Sequence, residues 1–184
     1  MARSAVAQAH PVRVEYGWEV SGRRSTAALR VGDCSPLAKV LARGPLCDVP
    51  GGAERGTDGV LTIRFAPGEW LLIDRPGTGP DHVRRMEAYP GTTAVDLTHA
   101  ATLLRLRGEA SAAVLAKVCA LDLRRPDTAV RTLVAGITTV VIRNDRASYL
   151  LQCDRSFGQF LFDTLLDAGA EFGIDVDGID GSDI

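Results

Sequence analysis

Apolar and basic residues alternate along Ala101-Thr102-Leu103-Leu104-Arg105-Leu106-Arg107, the two-residue period of a half-buried strand. Gly108 ends the run. Over 109–118 the period changes: Val114, Leu115 and Val118 recur at helical spacing, with acidic Glu109 near the helix N-terminus. Pro126 cannot continue that helix. The branched stretch Leu133-Val134-Ala135-Gly136-Ile137-Thr138-Thr139-Val140-Val141-Ile142 predicts strand, bent or turned at Gly136. Asn144-Asp145-Arg146 is a turn, after which 148–153 supplies the second strand of a hairpin. Ser156 is placed to cap a last helix whose buried face would hold Phe157, Phe160, Leu161, Thr164, Leu165 and Ala168. Gly169 or Gly173 can end it.

The first half reads as a rougher copy. Ser35-Pro36 predicts the start of a short helix, and 51–59 a polar, glycine-rich loop. Residues 60–65 and 70–74 form a hairpin across Ala66-Pro67-Gly68, and 80–88 the helix after it. The copying extends to letters. Leu37-Ala38-Lys39-Val40 recurs as Leu115-Ala116-Lys117-Val118, Glu69-Trp70-Leu71-Leu72 is echoed by Ser148-Tyr149-Leu150-Leu151, and 28–33 resembles 104–109. Two hairpin-plus-helix units imply an α+β fold, a pseudo-duplicated antiparallel sheet with helices. The expected organisation is one domain over 12–173, made of related halves 12–98 and 99–173. An acidic, glycine-rich tail over 174–184 is expected to fray.

Composition narrows the function classes. In 184 residues, 21 basic side chains face 23 acidic ones, a balance unlike that of a nucleic-acid binder. Nineteen of the basic residues are arginine, Lys39 and Lys117 being the only lysines. Arginine suits bidentate contacts and protein interfaces; codon bias explains the excess equally well. No apolar run is long enough for a membrane span. Cys34, Cys47, Cys119 and Cys153 form no CxxC pair and have no histidine at zinc-ligand spacing, as expected of a cytoplasmic protein in a reducing compartment.

Candidate chemistry is sparse. His10 and His82 have no partner in the sequence. His99 follows Asp96-Leu97-Thr98, where an Asp-His hydrogen bond would orient a base or stitch a turn. No nucleophile elbow or phosphate loop is present. The tail Asp175-Val176-Asp177-Gly178-Ile179-Asp180 fails as a calcium loop, with isoleucine at a ligand position and no closing glutamate. Arg23-Arg24, Arg84-Arg85 and Arg124-Arg125 are isolated pairs, read as solvated surface or as interface anchors. Trp70 and Tyr149 are read as hairpin core, or as a surface on which an aromatic ligand stacks.

Val95-Asp96-Leu97-Thr98-His99 leading into 102–108 resembles the central motif of the heterotetrameric sarcosine oxidase gamma subunits. So do 115–123, Leu133-Val134-Ala135-Gly136 and Ser148-Tyr149-Leu150-Leu151, with Phe65-Ala66-Pro67-Gly68-Glu69-Trp70 similar to the first hairpin of that family and 155–157 with 170–172 to its close. The resemblance covers roughly residues 59–173. It implies the fold of the aminomethyltransferase folate-binding domain. It also implies a subunit that packs against alpha, beta and delta partners and carries no catalytic group, no metal and no cofactor of its own. In that family FAD, FMN, NAD, tetrahydrofolate and zinc belong to the partner subunits, and the complex converts sarcosine, oxygen and tetrahydrofolate to glycine, methylene-tetrahydrofolate and peroxide. Folate-using relatives carry a Gly-Tyr-Glu type element where this chain has Ser148-Tyr149-Leu150, and leucine accepts no hydrogen bond from a pterin. Where the gamma family often has glutamine before the threonine of its middle strand, this chain has Arg131 before Thr132. A stand-alone folate or one-carbon binding protein is the alternative, and its pocket would need Asp96, Tyr149 or Asp154.

Overall fold

A computed structural model describes residues 1–45, 52–123 and 129–179. Strands dominate it. In chain order they are β1 (Val12–Glu15), β2 (Trp18–Ser21), β3 (Arg30–Asp33), β4 (Ala38–Arg43), β5 (Gly52–Arg55), β6 (Leu61–Ala66) and β7 (Glu69–Asp74), then helix α1 (Gly79–Glu87) and β8 (Thr93–Asp96). There follow β9 (Ala101–Arg107), α2 (Ser111–Val118), β10 (Ala129–Val134), β11 (Ile137–Asp145), β12 (Ser148–Asp154), α3 (Gly158–Gly169) and β13 (Asp175–Asp177). Beyond the small hairpin β1-β2, these strands build a six-stranded sheet, β10-β11-β12-β9-β3-β13, and a five-stranded sheet, β5-β6-β7-β4-β8.

Side-chain alternation stacks these sheets into four layers. Leu71 and Ile73 of β7 meet Leu103, Val140, Ile142 and Leu150 between the sheets. The neighbouring Trp70 and Leu72 turn outward onto Met86 of α1. On the far side Leu104, Leu106, Tyr149 and Leu151 pack under Leu115 of α2 and Leu161 and Leu165 of α3. Strand β9 is therefore covered on both faces: its residues from Ala101 to Leu106 are all buried, and the expected half-buried alternation gives way to a central strand. The turn between β10 and β11 has positive φ at Ala135 (50°) and Gly136 (81°), the tight hairpin geometry that favours glycine.

Several expectations need correction. Ser35-Pro36 opens a turn rather than a helix, and the following Leu37-Ala38-Lys39-Val40 enters strand β4, whereas the identical Leu115-Ala116-Lys117-Val118 ends helix α2. The tetrapeptide has no decisive preference of its own. Strands β7 and β8 on either side pull the first copy into a sheet, and the preceding Ser111-Ala112-Ala113 leads the second into a helix. The strands that do occupy like places beside the two hairpins begin at Ala38, opposite Asp74, and at Ala101, opposite Asp154. Part of the loop expected over 51–59 is strand β5, paired to β6.

Ser156 does not cap α3: it lies in the 3-10 turn Arg155–Phe157, and no side chain caps the helix. Phe157 and Phe160 are exposed, because the buried stripe runs through Gly158, Leu161, Phe162, Leu165 and Gly169. The expected tail contains β13, parallel to β3, and Ile179 beyond it is buried between the sheets; the carbonyl of Ile179 accepts Arg13 and Arg24. Ile174, Val176 and Ile179, packed into the two cores, and these donors outweigh the acidic composition. At the other end Val6 is buried in the helix-side core.

Candidate functional site

Asp74 is the last residue of β7, and its side chain falls on the face that turns toward α1. His82 lies in the first turn of that helix, eight residues on. Nε2 of His82 stands 2.7 Å from Asp74 Oδ2, with both residues buried. A carboxylate only accepts, so Nε2 carries the proton. Burial alone would raise the Asp74 carboxyl. Hydrogen bonds from His82, the Arg75 backbone and Thr78 outweigh it and hold the carboxyl below the ordinary carboxylate range. A carboxylate-oriented imidazole is the arrangement of a general base, but this ring is enclosed by the helix that carries it. Here it fastens α1 to β7.

Lys39 projects from the opposite face of β4, where nothing of it reaches solvent. Its Nζ donates to the carbonyls of Ser35 (2.6 Å) and Leu37 (2.7 Å). Burial lowers the ammonium to about 8, while Asp33, Asp96 and Cys34 act in the opposite direction. Asp33 accepts from Ser35 and from Gln8, and the Ser35 hydroxyl accepts the backbone N–H of Leu103 on β9. Polar groups at both ends of this joint are paired, and it ties β4 to the other sheet and to the N-terminal segment.

The three residues considered for a folate pocket are not gathered together. Asp96 ends β8 at the five-stranded sheet, where it accepts the Thr98 N–H (2.8 Å) and lies against Gly79 of α1. Tyr149 is buried in the helix-side core, its hydroxyl donating to the Leu123 carbonyl at 3.0 Å. Asp154 is exposed at the end of β12, on the alternate face of that strand from Tyr149. With Trp70 and Tyr149 both buried, neither offers a stacking surface.

The Asp96–His99 hydrogen bond does not form. His99 instead lies flat on Trp18, with ring centroids 4.8 Å apart. The Asp-His pair that does form, Asp74–His82, was invisible in the sequence as a motif. Its only signal is a carboxylate closing a strand and a histidine in the first turn of the next helix. His10 is exposed. Cys34, Cys119 and Cys153 are buried, the thiol of Cys153 pushed up to about 11 by burial and by Asp154; Cys47 and Arg124-Arg125 lie outside the described residues. Arg23 pairs with Asp175, Arg84 with Asp81 and Arg85 with Asp58. A shallow cavity of about 340 Å³ opens elsewhere, lined by residues 3–8, Val12, Glu19 and Gln159. No described helix is long and apolar enough to cross a membrane.

No known family profile matches this chain, and no curated protein does. Solved structures do. A chain in the structure of heterotetrameric sarcosine oxidase from Corynebacterium sp. U-96, in complex with pyrrole 2-carboxylate, superposes with a TM-score of 0.69 at 20% identity, over 81% of this chain and 88% of that one. The glycine cleavage system aminomethyltransferase T from Bartonella henselae gives 0.69 at 15% identity, over 91% of this chain and 55% of that one. The present chain thus spans little more than half the length of the aminomethyltransferase. At these identities the likeness is one of fold: the protein is a mixed α+β chain, mostly sheet, folded like the sarcosine oxidase chain and like part of the aminomethyltransferase.

Proposed function

We propose that this chain is a non-catalytic subunit, of the gamma type, in a flavoenzyme complex of the sarcosine oxidase kind, and that it acts in assembly. The observation that most supports this is the match to a heterotetrameric enzyme's chain over 88% of that chain's length, the extent expected of one whole subunit set against another. The interior agrees with it. The described groups best suited to proton transfer, His82 and Lys39, are enclosed and engaged in fastening elements together. On this reading the flavins, NAD, tetrahydrofolate and zinc belong to partner subunits, and the complex is cytoplasmic. We also read the two hairpins, each followed by a helix, as related halves of one domain; the orders β5-β6-β7-β4 and β10-β11-β12-β9 support this.

Affinity isolation of the tagged chain from its own host tests the proposal. Stoichiometric recovery of yellow, flavin-bearing subunits with amine-dependent peroxide production is the expected result. A colourless chain recovered alone overturns it. The likeness to an aminomethyltransferase favours the second reading, a stand-alone folate binder. Titration of the purified chain with tetrahydrofolate, followed by tryptophan fluorescence, separates the two: saturable binding supports the second, and a flat trace excludes it.

A further inference from the structure

Helix α3 departs from ordinary surface design in three ways at once. Phe157 and Phe160 stand out into solvent, 47% and 56% exposed. At helical spacing they share one stripe with Asp163, Thr164 and Asp167. Asp163 and Asp167 form a like-charge pair one turn apart, which weakens a helix. No acidic residue lies in the first turn and no basic residue anywhere in the helix, so its charge opposes the macrodipole. The cation at the C-terminal end is borrowed from α2: Lys117, which bonds the Ala168 carbonyl and Glu171. Asp163 accepts a hydrogen bond from Gln159, and neither it nor Asp167 has an ion pair among the described residues. Exposed phenylalanines, a like-charge pair and a charge order against the macrodipole, gathered on one helix, are expected where a surface serves something other than the fold.

We infer that the Phe157–Phe160 pair and the Asp163–Asp167 carboxylates form one docking stripe for a partner subunit whose surface presents an apolar socket flanked by arginine or lysine. Phenylalanine is enriched at the centre of such contacts, with charge at the rim. The unneutralised carboxylates set the sign of the partner's rim. A second copy of this chain fits less well, since much of its own arginine is already ion-paired internally. The inference rests on the subunit reading above.

The test compares four full-length tagged chains isolated from the host: the natural one, Phe157→Ser/Phe160→Ser, Asp163→Lys/Asp167→Lys, and a control, Val14→Ser/Leu133→Ser, that alters exposed aliphatic residues elsewhere. Flavin recovered per chain is expected to fall at least tenfold for both stripe variants and to stay unchanged for the control. Circular dichroism melts verify that each variant is folded, and the natural chain's recovery is expected to drop as salt is raised. Full recovery by either folded stripe variant overturns the inference and leaves the subunit reading intact. Loss of flavin recovery by the natural chain itself overturns both. A dimer of the purified natural chain in sedimentation, abolished by Phe157→Ser/Phe160→Ser, assigns the stripe to a second copy and also overturns the inference.

Discussion

Gly158 and Thr102 are in direct apposition: a Cβ built on Gly158 would lie 2.3 Å from Thr102 Oγ1 and 3.0 Å from its Cβ and Cγ2. The helix start thus seats on β9 with no room for one methyl group. Gly158→Ala raises helix propensity by about 1 kcal/mol, yet overpacking at a buried site costs about 1–3 kcal/mol, so the variant is expected to melt lower. Thr102 Oγ1 is buried without a hydrogen-bond partner among the described residues, so Thr102→Ala is expected to cost little and, combined with Gly158→Ala, to restore the melting temperature. A double-mutant cycle by thermal denaturation measures the coupling.

The depressed Asp74 carboxyl has a definite sign in acid. A group whose folded pKa lies below its unfolded value of about 3.9 contributes stability above that value and loses it as the pH falls through the folded pKa. Asp74→Asn is expected to lower stability by about 1–3 kcal/mol at neutral pH, the range for a buried hydrogen bond to a charged group. It is also expected to flatten the acid limb of the stability curve below about pH 4. Urea titrations from pH 7 downward check both.

Lys39 acts in the opposite pH region. Its folded value of about 8 lies below the ordinary 10.5, so between the two the unfolded chain binds more protons and stability rises with pH. The integrated gain is about 3 kcal/mol. Lys39→Met removes the titrating group and leaves two carbonyls without their donor. The alkaline rise present in the natural chain is expected to vanish in the variant, as measured by chemical denaturation from pH 7.5 to 10.5.

Arg131 joins the two sheets from the surface. Its guanidinium lies 4.8 Å from the Phe65 ring centroid and 3.0 Å from Glu69, which also accepts Arg43 at 3.0 Å. Arg131 is half-exposed while Glu69 is mostly buried, and Arg43 still pairs with Glu69 in the variant, so Arg131→Met is expected to cost about 1 kcal/mol. Melting temperatures of the two proteins are expected to converge as salt is raised.

The elements that could be read in advance are those whose pattern repeats. The hairpin β6-β7 has its Pro67-Gly68 turn, β9 its alternation and terminal Gly108, and α1 its early proline. What escaped depends on tertiary neighbours. Leu-Ala-Lys-Val takes either structure according to what flanks it. Phe157 and Phe160 have core-like spacing, but the 3-10 turn before α3 rotates them away from the sheet. The functional side was legible only as resemblance. Tyr149 lies in the second strand of its hairpin as the pattern predicts, and the two-residue period already sets Asp154 on the other face; Asp96 ends β8, a strand that no pattern announces and that pairing to β4 creates. The Asp74–His82 bond needs the packing of α1 on β7, which no spacing announces.

Strand β3 belongs by sequence to the first half, yet it sits between β9 and β13 of the second-half sheet. A nascent chain must therefore leave β3 unpaired until β9 has been synthesised, and open on its other side until β13 follows. Contacts of such long sequence separation slow folding and keep an open sheet edge exposed meanwhile. By the same geometry, cleavage between β8 and β9 leaves five strands of the six-stranded sheet on one fragment and β3 alone on the other, so they would recover the native form only by reassociating with each other.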